Sequence, residues 1–164
     1  MKATKIVGAV STIAGIVMII AGALTWATVT SQLTSEKITV PGDAQFMGGA
    51  FQGKAVAGPL SAFAQADAIN MHAMKASDGK TYAELGALAT AAEKEGDTEA
   101  AEAYTKTRAT VMNASFLRSS LFSSVIAYGV SALVIGLGVL FGLIGWALST
   151  IKPAVGEPVA NKAA

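Results

Sequence analysis

Two stretches without charge dominate the alternation of apolar and polar positions. Ile6 to Val29 reads IVGAVSTIAGIVMIIAGALTWATV, and Ser119 to Ile151 is likewise uncharged. Each exceeds the roughly 20 residues a helix needs to cross a hydrocarbon core of about 30 Å. Most charges lie between them, from about Thr30 to Arg118. The pattern predicts an all-α membrane protein, two transmembrane helices flanking a mainly helical extracytoplasmic domain. Residues 1–30 form the first span with a short cytoplasmic N-terminus, 31–118 the outer domain and 119–151 the second span. Residues 152–164 (KPAVGEPVANKAA) have prolines and no apolar period, as expected of a disordered cytoplasmic tail. Lys2, Lys5 and Ala21-Gly22-Ala23 also suit a cleaved signal peptide, but the apolar run continues through Leu24, Trp26 and Val29, longer than a signal core. An uncleaved anchor is expected.

The outer domain opens with a β-like run, Lys37 to Val40, and a turn at Pro41-Gly42-Asp43. FMGGAFQGKAVAGP should be irregular, with a short strand near Lys54 to Ala57. Its Gly-Lys pair lacks the Walker spacing and is no phosphate loop. Pro59 predicts the start of a helix to about Ala76, stopped by Ser77-Asp78-Gly79, with Leu60, Phe63, Ala64, Met71 and Met74 on its core face and Ser61, Gln65 and Lys75 elsewhere. Thr81-x-x-Glu84 is a capping box for a second helix with Tyr82, Leu85, Leu88 and Ala92 on one side. Gly96 ends it, and Asp97 caps a third that heads past Asn113 towards the second span. Large apolar residues are few here, so the domain is expected to be marginal alone and to dock on something larger.

Small residues fall in register along both spans. At 100° per residue, Ser120, Ser124, Ala127, Ser131, Gly138, Gly142 and Gly145 share one stripe of the second. Gly8, Ser11, Gly15, Gly22 and Thr25 do so in the first, with Met18 in the larger slot. Lipid provides no hydrophobic drive to associate helices, and small residues that admit close backbone approach provide it instead. Ser11, Gly15, Gly22, Ser120, Ser124, Ser131, Gly138 and Gly142 are therefore the expected helix-packing residues. The pattern leaves open whether the stripes face each other or another protein. The rest of the second span, Leu121, Val125, Tyr128, Val139 and Trp146, suits lipid or a bulky partner, and Trp26 and Trp146 suit interfacial belts.

Charge refines the topology. The outer segment holds eight basic residues against ten acidic ones, a net of −2, while Lys2, Lys5, Lys152 and Lys162 flank the spans. Cytoplasmic flanks favour Lys and Arg, which places both termini inside the plasma membrane, although Arg118 points the other way. The chain has no cysteine, which removes disulfides, iron–sulfur clusters and thiolate metal sites. His72 is the only histidine and is expected to be a surface or packed residue; a facial iron triad needs two. Neither span contains an ionisable side chain for haem ligation, proton relay or gating. No catalytic, cofactor-binding or metal-binding residue is assigned, and no nucleic-acid partner is expected.

The strings ITVPGDAQF, GKAVAGPLSAFAQADAI, TYAELGAL and RATVMNASFLRSSLFSSVIAYGVSALVIGLGVLFGLIGWAL resemble a family of small actinobacterial two-span proteins, most clearly from Ile38 to Leu148. Some relatives are labelled aromatic-ring-opening dioxygenases, a label one histidine and no cysteine cannot support. Others resemble the association factors of the respiratory supercomplex of cytochrome bcc and haem–copper cytochrome c oxidase. The resemblance implies a non-catalytic accessory subunit whose partners are those complexes and the lipid bilayer. The alternative is a free-standing two-span receptor or sensor with a small ligand-binding outer domain. An anchored enzyme has no residue set behind it.

Overall fold

The structure, a computed structural model, describes residues 2–151; the predicted tail at 152–164 lies outside them. Four α-helices account for most of the described chain: α1 Lys2–Ser35, α2 Pro59–Ala76, α3 Tyr82–Glu95 and α4 Thr98–Thr150. The fold is all-α. α1 and α4 are each long and apolar enough to cross a membrane, and only 17% of the most apolar window in each is buried. A core helix of a soluble protein shows the reverse. Among the described residues, contacts group 2–24 and 131–151 into one compact unit and 25–130 into another.

Within the 25–130 unit the core is built from small residues. Leu33 of α1, Val40, Ala44 and Val56 of the connecting segment, four alanines of α2, and Leu121 and Tyr128 of α4 share one buried cluster, with Val29 of α1 partly buried against it. The expected β-like run is present only as a clasp. Thr39 and Ala55 form a single antiparallel bridge, with Val40 N donating to Lys54 O at 3.0 Å and Val56 N to Ile38 O at 2.9 Å. The intervening chain turns through a short 3-10 segment, Phe46–Gly49, with Met47 and Gly48 at positive φ. Repeated left-handed turns and Pro41 do not sustain a ladder, so no strand develops.

α2 begins and ends where its punctuation predicts, but its buried face differs. Ala62, Ala66 and Ala73 lie along one side and Ser61, Ala64 and Ala68 along the opposite side, all buried. Leu60 is 52% exposed and Met74 37%. A helix covered on two sides needs short side chains where its neighbours approach, so the long ones are displaced to the rim. Phe63, half-buried, links Phe46 and Phe122 with ring centroids 4.8 and 5.6 Å away. Ser61 is turned to use: its hydroxyl accepts from the N–H groups of Ala57 and Gly58, both at 3.1 Å.

α3 is set by its caps. Thr81 N–H and hydroxyl both donate to Glu84 Oε2 at 2.7 Å, and Thr81 Oγ1 accepts from Glu84 N at 3.3 Å. Gly96 takes the left-handed conformation that closes the helix, φ +80°. Asp97 Oδ1 then accepts from Ala100 N at 3.0 Å to open α4. α4 passes Asn113 unbroken, which leaves the Asn113-Ala114-Ser115 tripeptide inside a helix. Leu85, Ala89 and Ala92 are buried on α3, but Tyr82 is 40% exposed. Its ring lies 4.0 Å under the Arg108 guanidinium.

The bonds from Thr81, backbone first and hydroxyl second, hold the Glu84 carboxyl below its usual titration range. A depressed folded-state value stabilises fully above the unfolded value of about 4.3 and is lost as pH falls through the folded one. Acidification through this window should therefore speed amide exchange in the first turn of α3 before other helices respond. Glu84→Gln should remove that pH dependence. Hydrogen exchange followed by NMR between pH 5 and 3 is the check.

Candidate functional site

In the unit formed by residues 2–24 and 131–151, the two helices meet along glycine. The pairs run antiparallel with a seven-residue step on each: Gly8 opposite Gly145, Gly15 opposite Gly138, Gly22 opposite Ser131. All six are buried. A seven-residue repeat keeps one seam facing its partner over several turns, the geometry of left-handed helix packing.

The approach is backbone to backbone. A Cβ built on Gly15 would stand 2.5 Å from the Gly138 carbonyl oxygen, and one on Gly138 would stand 2.7 Å from that of Gly15. Gly8 and Gly145 repeat the arrangement at 3.0 and 2.6 Å, and Gly22 faces the Ser131 oxygen at 2.9 Å. At each glycine the hydrogen in place of Cβ therefore points at a carbonyl across the seam, reciprocally at Gly8/Gly145 and Gly15/Gly138. Such Cα–H···O contacts contribute about 0.5–1 kcal/mol each. Thr12 packs against Gly145 and donates its hydroxyl to Gly8 O at 3.0 Å, so its polar group is satisfied within its own helix.

The eight expected packing residues do not behave alike. Gly15, Gly22, Ser131 and Gly138 lie in the seam. Gly142 is half-buried; its backbone faces Gly15, while its own Cβ direction is open. Ser11 is half-buried. Ser120 and Ser124 belong to the other unit, are not buried, and are joined by the Ser124 hydroxyl donating to Ser120 O at 3.3 Å. Gly8 and Gly145, the outer members of the predicted stripes, complete the seam.

The outward faces are aliphatic. Ile6, Val10, Ile13, Val17, Ile20 and Leu24 are exposed on α1, and Leu133, Leu137, Leu140 and Ile144 on α4. Leu121 and Tyr128, expected on such a face, are instead 5% and 1% exposed, inside the core of the 25–130 unit. The Tyr128 ring meets Trp26 edge-on at 4.7 Å, and its hydroxyl lies 2.8 Å from that of Thr30. A hydroxyl partner four residues after Trp26 was the available signal: a buried tyrosine needs such a group. Val139 and Trp146 are exposed as expected.

The remaining polar chemistry is at the surface. His72 Nε2 is 2.8 Å from Asp43 Oδ2, both exposed, and this bond holds the Asp43 carboxyl below its usual range. Among the described residues no group of three or more His, Cys, Asp or Glu side chains is placed to hold a metal ion. Compared with protein-family models, curated proteins and solved structures, the chain shows no significant match.

Gly138 and Gly142 separate the seam from mere composition. Gly138→Ala should destabilise the helix pair by about 1–3 kcal/mol through overpacking against backbone. Gly142→Ala, with open space around it, should be neutral or stabilise by up to about 1 kcal/mol through helix propensity. Thermal unfolding of the two variants in one detergent distinguishes them.

Proposed function

We propose that this chain is a non-catalytic accessory subunit of an actinobacterial respiratory supercomplex, joining cytochrome bcc and haem–copper cytochrome c oxidase. In this reading α1 and α4 cross the plasma membrane, both termini are cytoplasmic and residues 31–118 are extracytoplasmic. The observation that carries it is the pairing of a closed glycine seam with uncovered aliphatic faces. The exposed run on α1 from Ile6 to Leu24 covers about 27 Å at 1.5 Å per residue, close to a hydrocarbon core. Trp26, partly exposed and edge-on to Tyr128, has the amphipathic character of a residue at a membrane boundary. The respiratory partner is supported by the sequence resemblance carried by residues Ile38 to Leu148.

Because the glycines face each other, partner contact in this reading falls to the outward aliphatic faces and to the surface of the 25–130 unit. Ridges of Ile, Val and Leu pack against a neighbouring span by dispersion, without polar groups to satisfy. The outer unit, assembled largely on alanine, gains stability from a neighbour by mass action.

Extraction of tagged protein in mild detergent should recover haem-containing cytochrome bcc and oxidase subunits with it. Recovery of the chain alone, with supercomplex bands unchanged after its deletion, would overturn the assignment. Orientation has its own check, since the chain lacks native cysteine. An impermeant maleimide should label Lys94→Cys in intact cells and Ala3→Cys only after lysis; the opposite pattern would reverse the topology.

A further inference from the structure

Within the 25–130 unit, ring contacts fix the levels of three helices. The Trp26 ring meets Tyr128 at 4.7 Å, which puts these two residues of α1 and α4 at one height. α2 runs antiparallel to α4: Phe63 meets Phe122 at 5.6 Å, and Ile69, Ala73 and Ala76 share a groove with Thr110, Ala114 and Leu117. The N-terminal end of α2 therefore points towards the level of Trp26 and Tyr128. At 1.5 Å per residue, Leu60 lies about 5 Å beyond Phe63 in that direction, and Tyr128 about 9 Å beyond Phe122. Leu60 thus stops about 5 Å short of Trp26, the aromatic that follows the last exposed aliphatic of the α1 run, Leu24.

Negative charge avoids this end of the unit. Between Asp43 and Asp67 the one charged residue is Lys54. Asp67 is seven residues past Leu60 along α2, about 10 Å. Asp43 is bonded to His72 at 2.8 Å, twelve residues past Leu60 and about 18 Å from it along α2. On α1 the first acid, Glu36, follows Trp26 by ten residues, and α4 has none after Glu102. Apolar groups come to the surface instead: Leu60 of α2 is exposed, as are Ile126 and Val130 of α4. Lys54 and Leu60 line one shallow groove of about 310 Å³ with Phe51 and Pro59. The Lys54 ammonium lies 5.4 Å from the centre of the Phe51 ring and forms no ion pair among the described residues.

We infer that this end of the unit rests in the headgroup layer of a phospholipid bilayer, with Leu60 at the acyl boundary and Lys54 against lipid phosphate. The inference rests on the reading that α1 and α4 cross the membrane, and not on the respiratory partners. Headgroups occupy about 5–7 Å outside each face of the hydrocarbon core, so with Trp26 at the edge of the core, Leu60 falls within that layer. Apolar side chains at this depth are withdrawn from water at the headgroup–acyl boundary. A lysine lays its stem along apolar surface and keeps its charge at the phosphates, whereas a carboxylate would meet like charge there. Exposed aliphatics, a single cation and no nearby acid are what these constraints select together. A protein neighbour would impose no such exclusion of acids across the whole end, because its own lysines and arginines could pair with them.

The chain has no native cysteine, so single spin labels at Leu60→Cys, Ile20→Cys and Lys94→Cys can be placed in the full-length protein. In phosphatidylglycerol nanodiscs, collision with oxygen reports lipid and collision with a nickel chelate reports water. Ile20 should favour oxygen and Lys94 nickel. Leu60 should fall between them, with nickel collision several-fold below that at Lys94 while oxygen still reaches it. Adding Lys54→Gln should raise nickel access at Leu60, and Lys54→Arg should restore it; no change in either would remove Lys54 from the contact. If Ile20 favours oxygen and Leu60 matches Lys94, the helices span but the headgroup contact is absent, and the inference fails alone. A Leu60 label shielded from both probes is covered by protein, which overturns it equally. Nickel access at Ile20 would remove the spanning reading, and the inference with it.

Discussion

Everything in the apolar unit follows from the distance between two backbones. Where Gly15 meets Gly138, the space for even one methyl group is occupied by a carbonyl oxygen 2.5 to 2.7 Å from where it would sit. At that separation helices are held by dispersion over main-chain atoms and by reciprocal Cα–H···O contacts, each small and all parallel. The seven-residue step repeats the contact three times, so its cost in helix propensity is offset by packing. A glycine in a helix interior loses about 1 kcal/mol relative to alanine. Five such positions on an exposed face would weaken the helices; in the seam they define which faces meet.

The 25–130 unit uses a milder form of the same constraint. α2 is buried on opposite sides by Ala62, Ala66 and Ala73 and by Ser61, Ala64 and Ala68. Alanine keeps full helix propensity while admitting neighbours nearly as close as glycine does. Specificity then comes from a few large groups: Tyr128 and Leu85 among the most deeply buried, and a run of phenylalanines from Phe51 through Phe46 and Phe63 to Phe122. A core of small residues buries modest apolar area per residue, at about 25 cal/mol per Å². This is the physical sense in which the unit is expected to gain from a neighbour.

The sequence was most legible where a backbone requirement has one chemical solution. Pro59, the Thr81–Glu84 box, Gly96 and Asp97 place the ends of α2, α3 and the start of α4, because each answers a need for a cap or a left-handed residue. The small-residue stripes were legible as stripes but not as a site, since periodicity fixes a face and not what covers it. That is why Ser120 and Ser124, which continue the stripe in sequence, leave the seam in space. The core face of α2 was misread for a related reason. Hydrophobic size marks a core when one side is buried, and it fails when two sides are. Tyr128 lies in an uncharged stretch that suits lipid or a bulky partner, whereas a tyrosine whose hydroxyl has a threonine partner can be packed within its own chain.

The closure of the glycine seam also limits how this chain can recognise anything else through its apolar helices. Had the glycines faced outward, a neighbouring helix could have been selected by close fit, since only a complementary backbone approaches so near. Aliphatic ridges discriminate less: isoleucine, valine and leucine surfaces of similar volume pack interchangeably at modest cost. Any specificity in the choice of partner must then come from polar and aromatic groups. On the 25–130 unit these include exposed Tyr82 and Phe116 and the cations Arg108 and Arg118; on the apolar unit they include exposed Phe141 and Trp146. A protein built this way has a pair of helices closed on each other and leaves discrimination to those few groups. Substitutions that alter which partner is bound should therefore fall at these polar and aromatic positions, whereas substitutions in the seam alter whether the helices pair.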